Sequence, residues 1–304
     1  MSLGKVIWEQ VWSLLLILWY CFEATLKSLV PRSLRTRKSV KGEIMLITGA
    51  GSGIGQLMAY KFAELGATLV LWDVNQAGNE ATANEIRNKG GKAYEYTVDI
   101  SDSEKVYAAA AKVKQDVGDV TILVNNAGIV TGKSFLESPD HMIRKTMDVN
   151  INAHFWTLKA FLPAMMAKNR GHIVTLASLA GFLPVKNLVD YCTSKFGAVG
   201  LHQTLRHELQ SDGLDGIHMT LVCPTFVGTG MFKGVQANVL KPEDVVSQTM
   251  DAILLNEGWL CLPSYAKILI PLSHLAPEKL NMLVKRQDRI HGMDTFIGRN
   301  AKGD

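Results

Sequence analysis

The sequence predicts an α/β fold: a single doubly wound domain, built on a seven-stranded parallel sheet and preceded by an N-terminal membrane-anchoring helix. Three observations support this prediction. From Gly42 onward, short apolar or β-branched runs alternate with amphipathic stretches of helical length, as in βαβ units. The first of these runs leads into a glycine-rich turn, and an uncharged apolar segment precedes the whole pattern.

Composition and charge limit the possible functions. Of the 304 residues, 47% are apolar, which is enough for a large core and excludes disorder over most of the chain. Residues 1–43 hold seven basic residues and three acidic ones, whereas the rest of the chain is balanced. Because residues 44–304 carry no net charge and therefore offer no basic surface to nucleic acid, we do not expect a nucleic-acid partner.

The first element is the apolar segment near the N-terminus. Residues 11–22 read VWSLLLILWYCF, but at about 1.5 Å per residue they cover only about 18 Å of a hydrocarbon core about 30 Å thick. Apolar residues recur at alternating steps of four and three, which on a helix makes one stripe. They are Trp8, Trp12, Leu15, Trp19, Phe22, Leu26 and Leu29. The pattern predicts a helix that lies in, or dips into, one leaflet of a membrane.

A basic cluster between Arg32 and Lys41 follows this segment and suits the anionic head groups of a cytosolic membrane surface. We therefore predict that residues 1–41 form a membrane anchor and basic linker, and that the body faces the cytosol. A cleavable signal peptide, a coiled-coil seam and a helix packed on the protein's own core are the alternatives. The signal peptide lacks a small-residue cleavage site, and the basic cluster lies on the wrong side for it.

Seven short runs are predicted to form the strands of the sheet: Ile44–Thr48, Thr68–Trp72, Ala93–Val98, Ile122–Asn125, His172–Leu176, His218–Val222 and Trp259–Leu262. No repeat, low-complexity tract or Pro/Gly-rich linker divides residues 42–304, so we expect one domain there. The four cysteines lie far apart and no Cys or His pair has metal-ligand spacing. Neither a disulfide framework nor a metal site is expected.

A glycine-rich turn follows the first predicted strand, where residues 48–55 read TGAGSGIG and lead into a helical pattern. The N–H groups and dipole of a helix N-terminus favour a pyrophosphate, and glycine lets phosphate oxygens approach the backbone closely. The turn therefore predicts a Rossmann-type dinucleotide site, although glycine-rich turns also occur for steric reasons alone. Its expected cofactor-binding residues are Gly49, Ser52, Gly53, Ile54 and Gly55.

An acidic residue, Asp73, ends the second predicted strand, 24 residues after Gly49. A carboxylate in this position accepts hydrogen bonds from the adenosine ribose hydroxyls and repels a 2′-phosphate. No Arg or Lys replaces Ser52 or directly follows Asp73. The expected cofactor is therefore NAD rather than NADP. The alternative interpretation of Asp73 is a solvated residue that only ends a strand.

Tyr191 and Lys195 lie four residues apart in a predicted helix, so both side chains project from one face. A tyrosine hydroxyl titrates near 10, and its use as a base near neutral pH requires a shift of about 3 units. A cation one helical turn away supplies part of that shift. Alone the pair is uninformative, because such pairs commonly line solvated helix faces. It is considered together with Ser178, which ends a predicted strand thirteen residues before Tyr191.

Together and in this order, these motifs resemble those of the short-chain dehydrogenase/reductase family over residues 40–263. The matching positions are Thr48, Gly49, Gly53 and Gly55 for TGxxxGxG, Asn125–Gly128 for NNAG, and Asn150, Ser178, Tyr191 and Lys195 for the catalytic tetrad. The resemblance implies further cofactor contacts at Asp99 and Ile100 beside the adenine, at Asn126, Ala127 and Gly128, and at Pro224, Val227 and Thr229 near the nicotinamide. This chain has Pro224-Thr225 where the family usually has Pro-Gly. This difference affects the expected local shape of the loop and not the expected chemistry.

The resemblance also implies a mechanism, namely hydride transfer between a carbinol carbon and the C4 atom of the nicotinamide. Tyr191 would remove the hydroxyl proton while Ser178 holds the substrate oxygen. Lys195 would lower the pKa of Tyr191 and bind the nicotinamide ribose, and Asn150 would position a water that carries the proton away.

The residues expected to overhang this site are apolar, namely Phe182–Val185 before Tyr191, and Phe226, Val227, Met231 and Phe232 after the sixth predicted strand. They predict a lipophilic alcohol substrate, unless they only seal a lid or a dimer contact. A second apolar stretch, Ala266–Leu275, could contact the membrane together with the N-terminal helix, or it could be C-terminal core. Sequence patterns in and around the motifs resemble the membrane-associated retinol dehydrogenase subgroup of the family.

The subgroup implies oxidation of all-trans-retinol to retinaldehyde, with 17β-hydroxysteroids or other lipid alcohols as the alternative. It also implies residence on the endoplasmic reticulum membrane, on lipid droplets or on both. By analogy with the family, a homodimer is expected through helices in residues 152–168 and 190–210. A non-catalytic binding protein on the lipid-droplet surface is the alternative from another functional class.

Overall fold

The structure is a computed structural model that describes residues 3–235 and 238–277 together with Met293 and Phe296. The chain divides between Lys38 and Ser39 into two compact units. The predicted domain runs to residue 304, and its residues beyond 277, other than Met293 and Phe296, lie outside the described part of the chain.

The first unit contains one long helix, α1 (Leu3–Leu29), and a single 3-10 turn at Arg32–Leu34. Large apolar side chains are exposed along α1, and the seven consecutive residues from Leu14 to Tyr20 expose them on every side of the helix. The predicted stripe is therefore part of a wider apolar surface. Within the described residues, no helix is both long enough and apolar enough to cross a membrane.

The second unit is built on the predicted seven-stranded sheet, in which every pair of neighbouring strands is parallel. The strands are β1 (Ile44–Thr48), β2 (Thr68–Asp73), β3 (Lys92–Thr97), β4 (Ile122–Asn125), β5 (Gly171–Leu176), β6 (Ile217–Pro224) and β7 (Trp259–Leu262). They lie in the order β3-β2-β1-β4-β5-β6-β7. The predicted α/β fold is confirmed, and each strand is found within two residues of its expected bounds.

Helices cover both faces of this sheet. They are α2 (Gly53–Glu64), α3 (Gln76–Asn88), α4 (Ser103–Asp116), α5 (Asp140–Met147), α6 (Ala153–Ala167), α7 (Val189–Ser211), α8 (Pro242–Leu254) and α9 (Ala266–Leu275). Apolar side chains of α2, α3 and α8 pack in one core, and those of α4 and α6 in another. The central strands are buried on both faces, which explains why they read as continuous apolar runs.

The strand order reverses between β1 and β4, and this reversal determines where a ligand can bind. Successive strands extend from β1 toward β3 on one side and from β4 toward β7 on the other. The connections therefore diverge at the carboxyl ends of β1 and β4 and leave a crevice there, as at the switch point of other doubly wound sheets. The glycine turn after β1 and Asn125–Gly128 at the end of β4 both lie at this crevice.

Candidate active site

A cavity of about 540 Å³ lies at the carboxyl edge of the sheet and is lined by residues that follow β1, β2, β3, β4, β5 and β6. Fifteen predicted cofactor-binding positions line it, namely Gly49, Ser52, Gly53, Ile54, Asp73, Asp99, Ile100, Asn126, Ala127, Gly128, Tyr191, Lys195, Pro224, Val227 and Thr229. Ser178 lines it as well. The predicted residues Gly55 and Asn150 are not among the lining residues.

The glycine turn adopts a backbone conformation that residues with side chains could not adopt without strain or collision. Gly49 and Gly53 have φ angles of +68° and +59°, in the left-handed region that glycine adopts readily. A Cβ atom at Gly55 would lie 2.2 Å from the carbonyl oxygen of Gly49. Because Gly55 has no side chain, the first turn of α2 can pack closely on the glycine turn. Gly55 therefore contributes to packing and does not line the cavity.

Residues at the ends of β1 and β4 hold the turn in place. The Thr48 hydroxyl accepts hydrogen bonds from the backbone N–H groups of Asn126 and Ala127, at 3.0 and 3.1 Å. The Asn126 side-chain amide donates to the carbonyl of Thr48 at 2.8 Å. Asn125 is buried and accepts a hydrogen bond from Thr157 of α6 at 2.8 Å. The NNAG motif thus joins the glycine turn, β4 and α6 into one framework.

Asp73 lies at the end of β2 with both carboxylate oxygens oriented by backbone donors. Its Oδ2 atom accepts a hydrogen bond from the Gly51 N–H at 2.8 Å, and its Oδ1 atom accepts one from the Asn75 N–H at 2.9 Å. A carboxylate oxygen has capacity for more than one donor. Asp73 can therefore still accept hydrogen bonds from a diol in the cavity.

Asp99 has a basic partner that the sequence analysis did not identify. The ammonium of Lys145 lies 3.0 Å from its carboxylate and donates to the Ser101 hydroxyl at 2.8 Å. Burial raises the pKa of the Asp99 carboxyl, but hydrogen bonds from Ser101 and Lys145 outweigh this effect and lower it overall. Lys145 lies 46 residues from Asp99, and no motif marks it, so only the folded chain reveals the pair.

Three members of the predicted tetrad meet at the cavity. Tyr191 and Lys195 project from α7, and Ser178 directly precedes a 3-10 turn after β5. The Ser178 hydroxyl donates to the carbonyl of Pro224 at 3.2 Å and accepts from the Ala180 N–H at 3.1 Å. The Lys195 ammonium donates to the carbonyl of Leu176 at 2.8 Å and lies 5.7 Å from the centre of the Tyr191 ring.

Asn150, the fourth member, is fully buried in a π-helical turn at Asp148–Asn152, between α5 and α6. Its side-chain oxygen accepts from the Ile129 N–H at 2.8 Å, and its amide donates to the Ile129 carbonyl at 2.9 Å. The same amide donates to the Ser194 hydroxyl at 3.0 Å. Asn150 therefore connects the segment after β4 to Ser194 of α7. Because Lys195 is the next residue after Ser194, this connection also fixes its position.

A family model described as short chain dehydrogenase matches residues 43–240, which include the glycine turn and the whole tetrad. The chain belongs to this family. Among its relatives, rat estradiol 17-beta-dehydrogenase 11 is 44% identical to this dehydrogenase over 98% of this chain and 100% of the relative. Human epidermal retinol dehydrogenase 2 is 45% identical over 92% of both chains. The protein is therefore an NAD(P)-dependent oxidoreductase.

A solved structure shows the same fold in this dehydrogenase family. The crystal structure of a short-chain dehydrogenase/reductase from Burkholderia phymatum, in complex with NAD, matches with a TM-score of 0.72 and 27% identity. The match covers 83% of this chain and 98% of that chain. This agreement supports the doubly wound fold and the enzymatic class against the non-catalytic alternative.

The residues of the dehydrogenase fit a bound dinucleotide. The turn from Gly49 to Gly53 lies at the N-terminus of α2, where backbone N–H groups favour phosphate. Thr229, from the segment after β6, lies against Gly53, because a Cβ atom built on that glycine would be 3.2 Å from the Thr229 Cβ. The lining of the cavity thus combines a glycine turn suited to phosphate with the Asp73 carboxylate and Tyr191.

Burial controls the ionisation of the two reactive groups. Tyr191 is 5% exposed; burial raises the pKa of its hydroxyl, and a hydrogen bond with Ser178 acts in the opposite direction. Burial also lowers the pKa of Lys195 to about 8. The expected lowering of the Tyr191 pKa by Lys195 is not found in the protein alone, because desolvation dominates. A further positive charge beside the Tyr191 hydroxyl would lower its pKa.

Tyr191 also packs in an apolar cluster. Phe232 contacts the Tyr191 ring edge to face, with ring centres 5.7 Å apart, and Phe226 contacts Phe232 in the same manner at 5.1 Å. Both residues belong to the apolar segments that the sequence analysis singled out. Met293 and Phe296 join the same cluster, and no sequence pattern predicted that they would lie there.

Proposed function

We propose that the dehydrogenase oxidises a lipophilic alcohol with NAD, and that its substrate is all-trans-retinol, which it converts to all-trans-retinaldehyde. The observation that carries this proposal is the apolar cluster of Phe226, Phe232 and their neighbours around Tyr191. A hydroxyl placed beside Tyr191 and Ser178 would have the rest of its molecule in contact with this cluster. The similarity to human epidermal retinol dehydrogenase 2 supports the same substrate class.

The second candidate is a 17β-hydroxysteroid. Estradiol 17-beta-dehydrogenase 11 from rat is as similar to this chain as the retinol enzyme, at 44% identity over its full length. A steroid presents a secondary hydroxyl on a rigid apolar frame, and the cluster beside Tyr191 suits that frame as well. The choice between the two substrates therefore depends on the width of the apolar site.

NAD is proposed over NADP because of Asp73. Backbone donors hold its carboxylate at the cavity wall, where it accepts hydrogen bonds from ribose hydroxyls and repels a 2′-phosphate. Val74 and Asn75, which also line the cavity, carry no positive charge to compensate a phosphate. When bound, the dinucleotide supplies a hydride acceptor and a positive nicotinamide ring.

The protein's own groups perform the proton chemistry. Ser178 turns its hydroxyl from the Pro224 carbonyl toward the substrate oxygen, and Tyr191 accepts the proton of the substrate hydroxyl. Lys195 is held by the Leu176 carbonyl on the same side of the cavity, where it can bind ribose hydroxyls and stabilise the phenolate. Asn150 positions Lys195 through Ser194 and the backbone of Ile129.

The substrate assignment is tested with the full chain in membranes. All-trans-retinol, 17β-estradiol and a straight-chain alcohol are supplied with NAD or with NADP, and cofactor reduction and the carbonyl product are both measured. We expect the highest kcat/KM with retinol and NAD. A higher value for estradiol would replace the substrate by the second candidate, and no turnover of any lipophilic alcohol would refute the proposed function.

We further propose that α1 anchors the enzyme to the endoplasmic reticulum membrane or to lipid droplets, with the second unit in the cytosol. The exposed apolar residues of α1 suit the interior of one leaflet, and the basic residues that follow suit its head groups. On α9, Ile268, Leu269 and Leu272 are exposed and offer a second apolar contact. A homodimer through α6 and α7 is proposed by analogy with the family.

Deletion of residues 1–30 is expected to move most of the protein from the membrane pellet to the supernatant, because it removes most of the exposed apolar surface of the first unit. The measurement is fractionation of cells that express the full or the shortened chain. A double variant of α9, Leu269→Ser with Leu272→Ser, tests the second contact separately. The anchor proposal would be wrong if the full chain fractionated as a soluble protein.

A further inference from the structure

The apolar cluster beside Tyr191 is assembled from distant parts of the chain. Its buried members are Ala180, Leu188, Tyr191, Cys192 and Met293, and Val130, Val185, Phe226, Phe232, Val235 and Phe296 pack against them. Met293 is 3% exposed, so this C-terminal residue is an integral part of the cluster. None of these side chains is charged, and the cluster therefore suits an apolar surface.

Phe296 lies in the outer layer of this cluster, one ring farther from Tyr191 than Phe232. The ring centres of Phe232 and Phe296 are 6.4 Å apart, with 55° between their planes, and Phe232 itself contacts Tyr191. Phe232 also lines the cavity that holds Ser178 and Lys195. The rings of Tyr191, Phe232 and Phe296 thus form a continuous aromatic wall that starts at the Tyr191 ring.

Phe296 also contacts the backbone at Gly132. A Cβ atom built on Gly132 would lie 2.0 Å from a ring carbon of Phe296, so the ring rests directly on the glycine. Gly132 belongs to the segment after β4, and Phe232 to the segment after β6. Phe296 thus contacts both the segment after β4 and the segment after β6.

We propose that Phe296 is a specificity-determining residue, which limits the width of the substrate site behind the carbinol group. This inference rests on the proposed function, because it concerns the apolar body of the alcohol that Tyr191 would deprotonate. Contact with Gly132 limits the movement of the Phe296 ring. Because Phe296 packs against Phe232, which lines the cavity, bulky alcohols require both rings to move, while slender ones do not.

The test compares two alcohols of different width, 1-decanol and 17β-estradiol, in detergent with saturating NAD. Phe296→Ala removes the ring and is expected to raise the ratio of kcat/KM for estradiol to that for decanol at least tenfold. Phe296→Trp enlarges the ring and is expected to lower the same ratio. The KM for NAD should stay unchanged in both variants, because Phe296 is not among the residues that line the cavity and is connected to it through Phe232.

Phe135→Ala is the matched control, because it removes the same ring from a position that is 64% exposed, and it should leave the ratio unchanged. An equal change for both alcohols, or a changed KM for NAD, would overturn the assignment of Phe296. If the wild-type enzyme oxidised neither of these alcohols nor all-trans-retinol, the proposed function would fail on its own account. A binding measurement would still test the role of Phe296 in that case. Equilibrium binding of the two radiolabelled alcohols is measured for the NAD complexes of Tyr191→Phe and of Tyr191→Phe combined with Phe296→Ala. An equal ratio of the two affinities in both proteins would refute the role proposed for Phe296.

Discussion

Replacement of Tyr191 by phenylalanine is expected to lower kcat by about a thousandfold, within the range typical of a lost general base. The substitution removes only the hydroxyl and keeps the ring in contact with Phe232. Without the hydroxyl, the tetrad residues beside it in the cavity cannot accept the proton directly, since Ser178 is a poor base and the Lys195 ammonium is already protonated at neutral pH. The KM for NAD should change little. The measurement is NAD reduction with retinol, together with the dissociation constant of NAD.

Tyr96→Phe is the control for this experiment. The Tyr96 hydroxyl donates to Asp116 at 3.1 Å and lies outside the cavity lining, so its loss should leave kcat unchanged. A thermal unfolding midpoint close to that of the wild type shows that Tyr191→Phe is folded. If Tyr191→Phe retained more than about a tenth of the wild-type kcat, the assignment of Tyr191 as the base would be wrong.

Asp73→Asn is expected to reduce the preference for NAD over NADP by about a hundredfold. The amide keeps the shape of the side chain and one oxygen that can accept a hydrogen bond from the backbone. It removes the charge that strengthens hydrogen bonds to ribose, an effect of about 1.5–3 kcal/mol for charged acceptors. The repulsion of a 2′-phosphate disappears at the same time. The measured quantity is the ratio of kcat/KM for the two cofactors.

The matched control for this prediction is Asp99→Asn, which neutralises another carboxylate of the same cavity. Lys145 already pairs with Asp99, and the resemblance to the family places Asp99 near the adenine rather than the ribose. We expect Asp99→Asn to change the KM values of NAD and NADP in parallel. Equal cofactor ratios in wild type and Asp73→Asn would show that another feature of the site selects NAD.

Much of this site is predictable because its chemistry depends on short stretches of sequence. The turn TGAGSGIG needs glycine where φ is positive and where a Cβ atom would collide, and those requirements act within eight residues. Tyr191 and Lys195 share one face of a helix for the same local reason. Once the strands are assigned, the parallel order brings their carboxyl ends together, and with them Asp73 and Ser178.

Other features depend on contacts between residues far apart in sequence. Lys145 reaches Asp99 only because the segment around α5 packs beside the end of β3, and no local pattern indicates this pairing. Asn150 is recognised by its resemblance to a motif, but its hydrogen bonds to Ile129 and Ser194 show that it connects two segments of the site. The pKa of Tyr191 also differs from the expectation, because burial raises it and outweighs the hydrogen bond with Ser178.

The amino-acid order alone determined the parallel α/β architecture, the dinucleotide turn and the reactive pair on α7, because periodicity, glycine conformation and helical spacing act over a few residues. Only the tertiary structure decided what surrounds that pair. The depth of burial around Tyr191, the ion pair at Asp99 and the aromatic wall completed by Phe296 arise from packing between distant segments. Those contacts form only when the sheet and its helices have come together.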